Sequence, residues 1–117
     1  MEKKIMINDR LILNVQANEF WYKTRTKDKH YTIQKTEHLL AKLLEILAEN
    51  AGSVIHREAF ISKIWYGNDN VGNPALTKAV SKLRKLLHEI PGPQKDIIET
   101  NPKKGYRLNA EVQIVRS

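Results

Sequence analysis

The stretch Asn73-Pro-Ala-Leu-Thr-Lys-Ala-Val-Ser-Lys-Leu-Arg-Lys-Leu-Leu-His-Glu-Ile90 decides how the rest of this 117-residue chain is read. At about 100° per residue, Leu76, Ala79, Val80, Leu83, Leu87 and Ile90 share one arc of a helix. Lys78, Ser81, Lys82 and Lys85 share the opposite arc, with Thr77 and Arg84 on a flank. One face can dock on a core and the other can meet a polyanion. Asn73 is the expected N-cap with Pro74 in the first helical position, and Pro91-Gly92-Pro93 ends the helix. Taken alone, the pattern equally describes a surface helix whose lysines are merely solvated. Its neighbours decide.

Lys35 to Asn50 carries the longest helical pattern, with Leu39, Leu40, Leu43, Leu44, Ile46 and Leu47 on one broad face and Glu37, Lys42, Glu45 and Glu49 elsewhere. Thr36 is its expected N-cap and Asn50-Ala-Gly52 its stop, so it reads as the spine of the core. A second helix is expected over Arg57–Tyr66 from the spacing of Phe60, Ile61, Ile64 and Trp65, with His56 as a poor N-cap. Gly67 to Asn73 reads as a turn-rich connector. Upstream, Lys4–Ile7, Leu11–Val15, Phe20–Thr24 and His30–Ile33 read as an antiparallel meander, broken at Asn8-Asp9, Ala17-Asn18 and Thr26-Lys-Asp28. Downstream, Ile97–Thr100 and Tyr106–Asn109 flank the basic turn Asn101-Pro-Lys-Lys-Gly105, in which Gly105 is expected to take a positive φ.

Composition narrows the partners. The formal charge is +7, and residues 74–117 hold nine Lys/Arg against four Asp/Glu, so the excess gathers in the opening helix and beyond it. A basic chain of this kind implies an anionic partner, nucleic acid or a membrane surface. No cysteine is present, which excludes disulfides, thiolate metal sites and a cysteine nucleophile and fits a reducing compartment; the cytoplasm is the expected location. The apolar Ile5-Met-Ile7 is too short for a signal peptide, and no run of about 18 apolar residues occurs. No membrane contact is therefore expected from these residues. His30, His38, His56 and His88 lack ligand spacing, so neither metal nor cofactor is expected. Glu37, Glu58 and Glu99 sit on separate elements with no nucleophile or Gly-rich phosphate loop beside them, which leaves an enzyme reading without support. Tyr106 and Trp65, next to apolar runs, read as core.

Helix, helix, basic helix, basic hairpin is the order of a winged helix-turn-helix. The expected fold is α+β: an N-terminal four-stranded antiparallel sheet, three helices and a C-terminal β-hairpin wing. It occupies residues 1–112, with 113–117 as a C-terminal tail. Leu76-Thr-Lys-Ala-Val-Ser-Lys-Leu-Arg-Lys-Leu-Leu87 followed by Ile98-Glu-Thr-Asn-Pro-Lys-Lys-Gly-Tyr-Arg-Leu108 closely resembles the signature of OmpR/PhoB-type winged-helix domains, nearest to the ToxR/CadC branch. Leu39–Leu47, Gly52-Ser-Val-Ile-His-Arg-Glu58 and Ile64-Trp65 extend the resemblance to roughly residues 4 to 110. It implies the DNA-binding domain of a transcription regulator, with the third helix in the major groove and the wing on the backbone or minor groove of promoter DNA. Thr77, Lys78, Ser81, Lys82, Arg84 and Lys85 carry over as contacts of the third helix. Lys103 and Lys104 carry over as the wing tip, and Arg57 as a phosphate contact.

Three departures shape the expectation. His56 stands where the family commonly has Ser, which leaves open a phosphate contact or a titrating group. Asn101 stands where the family usually has Val. The outward face of the third helix holds lysines where PhoB-type domains hold more arginines, and Lys makes poorer bidentate contacts to guanine, so a larger share of selectivity is expected from backbone charge and DNA shape. The branch also implies a membrane anchor beyond Ser117; binding as a homodimer or in tandem on DNA stays open. No receiver domain is expected ahead of the sheet. The competing reading, from a different class, is a protein-interaction module that docks RNA polymerase or another regulator without reading DNA.

Overall fold

The computed structural model describes residues 2–23 and 30–116. Thr24, the turn expected at Thr26–Asp28, and Ser117 lie outside them. The elements run β1 (Lys3–Ile7), β2 (Leu11–Asn14), β3 (Glu19–Tyr22), β4 (Thr32–Lys35), α1 (His38–Glu49), β5 (Ile55–His56), α2 (Arg57–Trp65), α3 (Asp69–Glu89), β6 (Ile98–Asn101), β7 (Gly105–Leu108) and β8 (Val112–Arg116).

The first four strands form the expected antiparallel meander, but the sheet has five strands, in the order β4-β3-β2-β1-β8. The expected C-terminal tail supplies the fifth. Val112–Arg116 pairs antiparallel with β1, from Ile7 opposite Val112 to Lys3 opposite Arg116. Asn8 locks the corner, since its amide donates to the Glu111 carbonyl and its Oδ1 accepts from the Glu111 amide, both at 2.9 Å. On the inner face Ile5, Ile7, Leu11, Leu13 and Phe20 are fully buried, as period-2 alternation requires.

α1 lies against this face, and its start differs from expectation. β4 extends past the expected Ile33 to Lys35, opposite Glu19, so Lys35 belongs to the sheet rather than to the helix. The Thr36 amide then donates to the Asn18 carbonyl at 2.9 Å, and the N-cap position falls to Glu37, which makes no side-chain cap. Its carboxylate sits 3.6 Å from Lys82 on α3 instead. Leu40, Leu43, Leu44, Ile46 and Leu47 are buried as expected, and they join α3, Phe60 of α2 and Ile98, Tyr106 and Leu108 of the hairpin in one hydrophobic cluster. β5, β7 and β6 form a second, three-stranded sheet at the other end of that cluster.

Glu45, expected on the polar side of α1, is buried. The cause is Lys3 on the inner face of β1, whose ammonium lies 2.9 Å from Glu45 and 2.5 Å from Glu49. Burial works against the Lys3 charge, but hydrogen bonds and charge from both glutamates outweigh it and raise the pKa above its ordinary 10.5. The hydrogen bond from Lys3 holds the Glu49 carboxyl below its ordinary 4.5 against a smaller opposing effect of burial. The Glu49 contribution to stability is therefore full above pH 4.5 and lost as pH falls through the lowered value; the Lys3 contribution is full below pH 10.5 and lost as pH rises through the raised one. Lys3→Met should cost about 1–3 kcal/mol by leaving a buried carboxylate short of a partner. It should also flatten the acid limb of stability against pH, read by urea melts between pH 3 and 7.

Candidate nucleic-acid interface

Three residues separate α2 from α3. Tyr66 and Gly67 both take left-handed conformations, with φ of 54° and 82°, and turn the chain sharply. Asn68 then caps α3, accepting from the Val71 amide through Oδ1 at 3.3 Å. The helix therefore starts at Asp69, not at the expected Asn73 cap, and Pro74 lies inside it. The residues expected to form a connector become its first turns because Gly72 lets them sit on α2. A Cβ at position 72 would stand 2.7 Å from Ile61 Cγ2, and Gly72 is buried there. Pro74 removes one backbone donor from the ladder. The other end behaves as expected: the helix stops at Glu89, and the buried Gln94 amide nitrogen donates to the Leu87 and Ile90 carbonyls at 3.3 and 2.7 Å.

Between these ends, Leu76, Ala79, Val80, Leu83 and Leu87 are buried to within 2%. The opposite arc therefore faces water, and Thr77, Lys78, Ser81, Lys82 and Lys85 are all exposed. Arg84, on the flank of that arc, is half-buried. It leans onto the hairpin, donating through Nη2 to the Ile98 carbonyl at 2.9 Å and to Thr100 Oγ1 at 2.7 Å, with its guanidinium 5.8 Å from the Tyr106 ring centre.

The wing is held against the helices by backbone. Ile55 pairs with Tyr106 and His56 with Gly105. This approach explains the glycine: a Cβ on Gly105 would run into the Ile55 carbonyl oxygen. The expected positive φ falls on Lys103 instead, at 65°. The same approach resolves the capping of α2. His56 makes no side-chain cap, because the Lys104 carbonyl accepts from the Arg57 amide at 3.0 Å. Lys103 and Lys104 are exposed at the tip, whereas Arg107 is spent on Glu99 directly across the hairpin. Tyr106 and Phe60 meet edge to face at 6.2 Å within the core, and Trp65 packs against it partly buried.

Arg57 sits at the meeting point of α2, α3 and the wing. Its Nε donates to Asn73 Oδ1 at 3.1 Å, its Nη2 to the Asn73 carbonyl and Thr77 Oγ1 at 2.7 and 3.0 Å, and its Nη1 to the Tyr106 hydroxyl at 3.1 Å. The structure thus brings Lys78, Ser81, Lys82 and Lys85 onto one exposed face of α3, and Thr77 beside Arg57. It leaves Arg57 and Arg84 half-buried and hydrogen-bonded to neighbouring residues of α3 and the hairpin. Asn68 and Asn73, whose roles sequence reasoning missed or misassigned, carry a legible signal only for the first: Asn-Asp ahead of Val71 is an N-terminal pattern.

A capped helix laid across a second helix through a tight turn, with a hairpin beside it, makes this fold a winged helix-turn-helix of the class found in DNA-binding transcription regulators. The chain belongs to the family described as transcriptional regulatory protein, C terminal, which matches residues 28–108. It is 34% identical over 76 residues to the transcriptional activator CadC of Escherichia coli K12, covering 65% of this chain and 15% of that protein. It is 35% identical over 77 residues to the cholera toxin transcriptional activator of Vibrio cholerae, covering 64% of this chain and 26% of the relative. With the response regulator GraR of Staphylococcus saprophyticus it shares 29% identity over 105 residues, 90% of this chain and 43% of GraR. The chain therefore spans less than half the length of each of these relatives. The DNA-binding domain of E. coli CadC superposes with a TM-score of 0.74 at 25% identity, covering 94% of both chains.

Gly105→Ala should force the wing off β5 and destabilise the domain by about 1–3 kcal/mol, the cost of an unaccommodated methyl in a packed site. Thermal melts followed by far-UV circular dichroism would measure it.

Proposed function

We propose that this domain binds duplex promoter DNA with the outward face of α3 in the major groove and the β6–β7 wing against the backbone or minor groove. One observation carries the reading: Lys78, Ser81, Lys82 and Lys85 are exposed on the arc opposite a fully buried one, with Lys103 and Lys104 exposed at the adjoining tip. Lysines neutralise phosphates and release counterions, which supplies affinity, while short side chains let a helix approach base edges. Ser81, between the lysines, is the side chain we assign to base choice; the Thr77 hydroxyl is taken up by Arg57 and the Asn73 carbonyl. The domain acts by binding rather than catalysis, and its place is the cytoplasm, where promoter DNA lies. No helix among the described residues is long and apolar enough to cross a membrane. A native chain that continues into a membrane anchor, and pairing of two copies on adjacent sites, belong to the same reading; the small share of each relative that the chain spans fits a longer chain.

A second reading, docking of RNA polymerase or another regulator, is favoured by apolar exposure away from the lysine face. Tyr66 is 95% exposed in the α2–α3 turn and Val71 is 52% exposed just after it. The outer face of the five-stranded sheet carries Ile33 and Val115, also largely exposed. DNA binding and protein docking use different surfaces, so both can operate.

Salt separates them. Log K for duplex DNA should fall linearly with log salt, at about −0.9 per phosphate neutralised, in fluorescence-anisotropy titrations. A flat dependence would exclude the DNA reading and leave docking. Lys85→Glu should abolish DNA binding without lowering the melting temperature, whereas Lys103→Glu should weaken binding alike on all sequences.

A further inference from the structure

We infer that Arg57 is a positioning residue, one that sets the register between the α3 surface and the wing and thereby governs sequence choice, rather than a phosphate ligand. The inference rests on the DNA reading above.

Arg57 spends four of its five N–H donors inside the protein, on Asn73 Oδ1, the Asn73 carbonyl, Thr77 Oγ1 and the Tyr106 hydroxyl. Its own amide is bound to the Lys104 carbonyl at the wing turn. One residue therefore holds the first turns of α3 through its side chain and the wing through both side chain and backbone. The acceptors are telling. Asn73 immediately precedes Pro74, where the helix ladder has lost a donor, so an outside tie stiffens the turn that is least held by its own backbone. Thr77 follows one turn later, flanking Lys78 and Ser81. Its hydroxyl accepts from Arg57 and donates to the Asn73 carbonyl at 3.3 Å, which aims it at the protein and not at a groove.

Tyr106 completes the joint. Its ring lies 6.0 Å from the Arg57 guanidinium and 5.8 Å from that of Arg84, which binds β6. Helix and wing are thus fixed to each other at two points, with one aromatic ring between them. A reader that touches DNA at two places gains selectivity from a fixed distance between those places, since a site of the wrong shape then cannot satisfy both. The planar fork of Arg meets three separate partners at once, and Lys, a single point charge, cannot.

The test uses the domain, a duplex selected by it from a random pool, and a scrambled duplex of equal length, each titrated by anisotropy across salt. Arg57→Gln and Arg57→Lys should both reduce the ratio of selected to scrambled affinity about tenfold, the scale of one lost base contact, while the salt slope stays at its wild-type value. Tyr106→Phe, which removes only the hydroxyl acceptor and no charge, should move the ratio in the same direction. An Arg57→Gln slope shallower by about 0.9, or a wild-type ratio in Arg57→Lys, would overturn the inference and make Arg57 a phosphate ligand. If Arg57→Gln fails to fold, Arg57→Lys and Tyr106→Phe decide: a wild-type ratio in either overturns it. Failure of the wild-type domain to select or bind any duplex would instead overturn the DNA reading itself.

Discussion

Burial of a single arc of α3 is the constraint on which the rest of the molecule depends. Leu76, Ala79, Val80, Leu83 and Leu87 lie within 2% of full burial, and each large side chain so placed is worth about 1.5–3 kcal/mol relative to exposure. Turning the helix by one residue, about 100°, would bring Arg84 toward the core in place of Leu83 and uncover leucine, so its rotation about its own axis is fixed. Everything on the far arc then faces outward without any further device. α1 supplies the platform: its own buried leucines contact both sheet and α3, and Lys3 fastens it to β1 through Glu45 and Glu49.

The wing depends on a different kind of contact. Its hairpin does not rest on the helices through side chains alone; β5 pairs with β7, and the Lys104 carbonyl closes the N-terminus of α2. Backbone pairing at this distance admits no Cβ at position 105, and it also removes the need for a capping side chain at position 56. The His56 departure and the glycine of the turn thus have one cause, the closeness of wing and α2.

Much of this was legible beforehand, and the limits have physical origins. The buried arc of α3, the leucine face of α1 and the hairpin follow from periodicity and turn chemistry, which are local. The start of α3 was not legible because two signals compete: Asn73-Pro74 matches a helix start, yet Asn68 caps and Gly72 allows contact with Ile61, a fact of tertiary packing. β8 was missed because its partner is β1, at the other end of the chain, and no nearby turn announces the pairing. Of the candidate contacts, Lys78, Lys82 and Lys85 follow from the helical wheel and Lys103 and Lys104 from the basic turn. Whether a cation is spent internally is invisible there, and Arg57 and Arg84 are spent.

That division between cations has a chemical logic. Around α3 and the wing, Arg57, Arg84 and Arg107 each bind several groups within the protein, while Lys78, Lys85, Lys103 and Lys104 are exposed and Lys82, also exposed, has only Glu37 at 3.6 Å. A guanidinium is weakly hydrated and presents several donors in fixed directions, which suits a joint with many acceptors. An ammonium on a flexible stem keeps its water and follows a phosphate without demanding an angle. Around α3 and the wing, the arginines therefore hold elements together and the lysines leave charge on the surface. In the proposed mode of binding, such a surface would read DNA less through forks on guanine than through the spacing its arginines impose, with Ser81 as the short side chain left to meet a base.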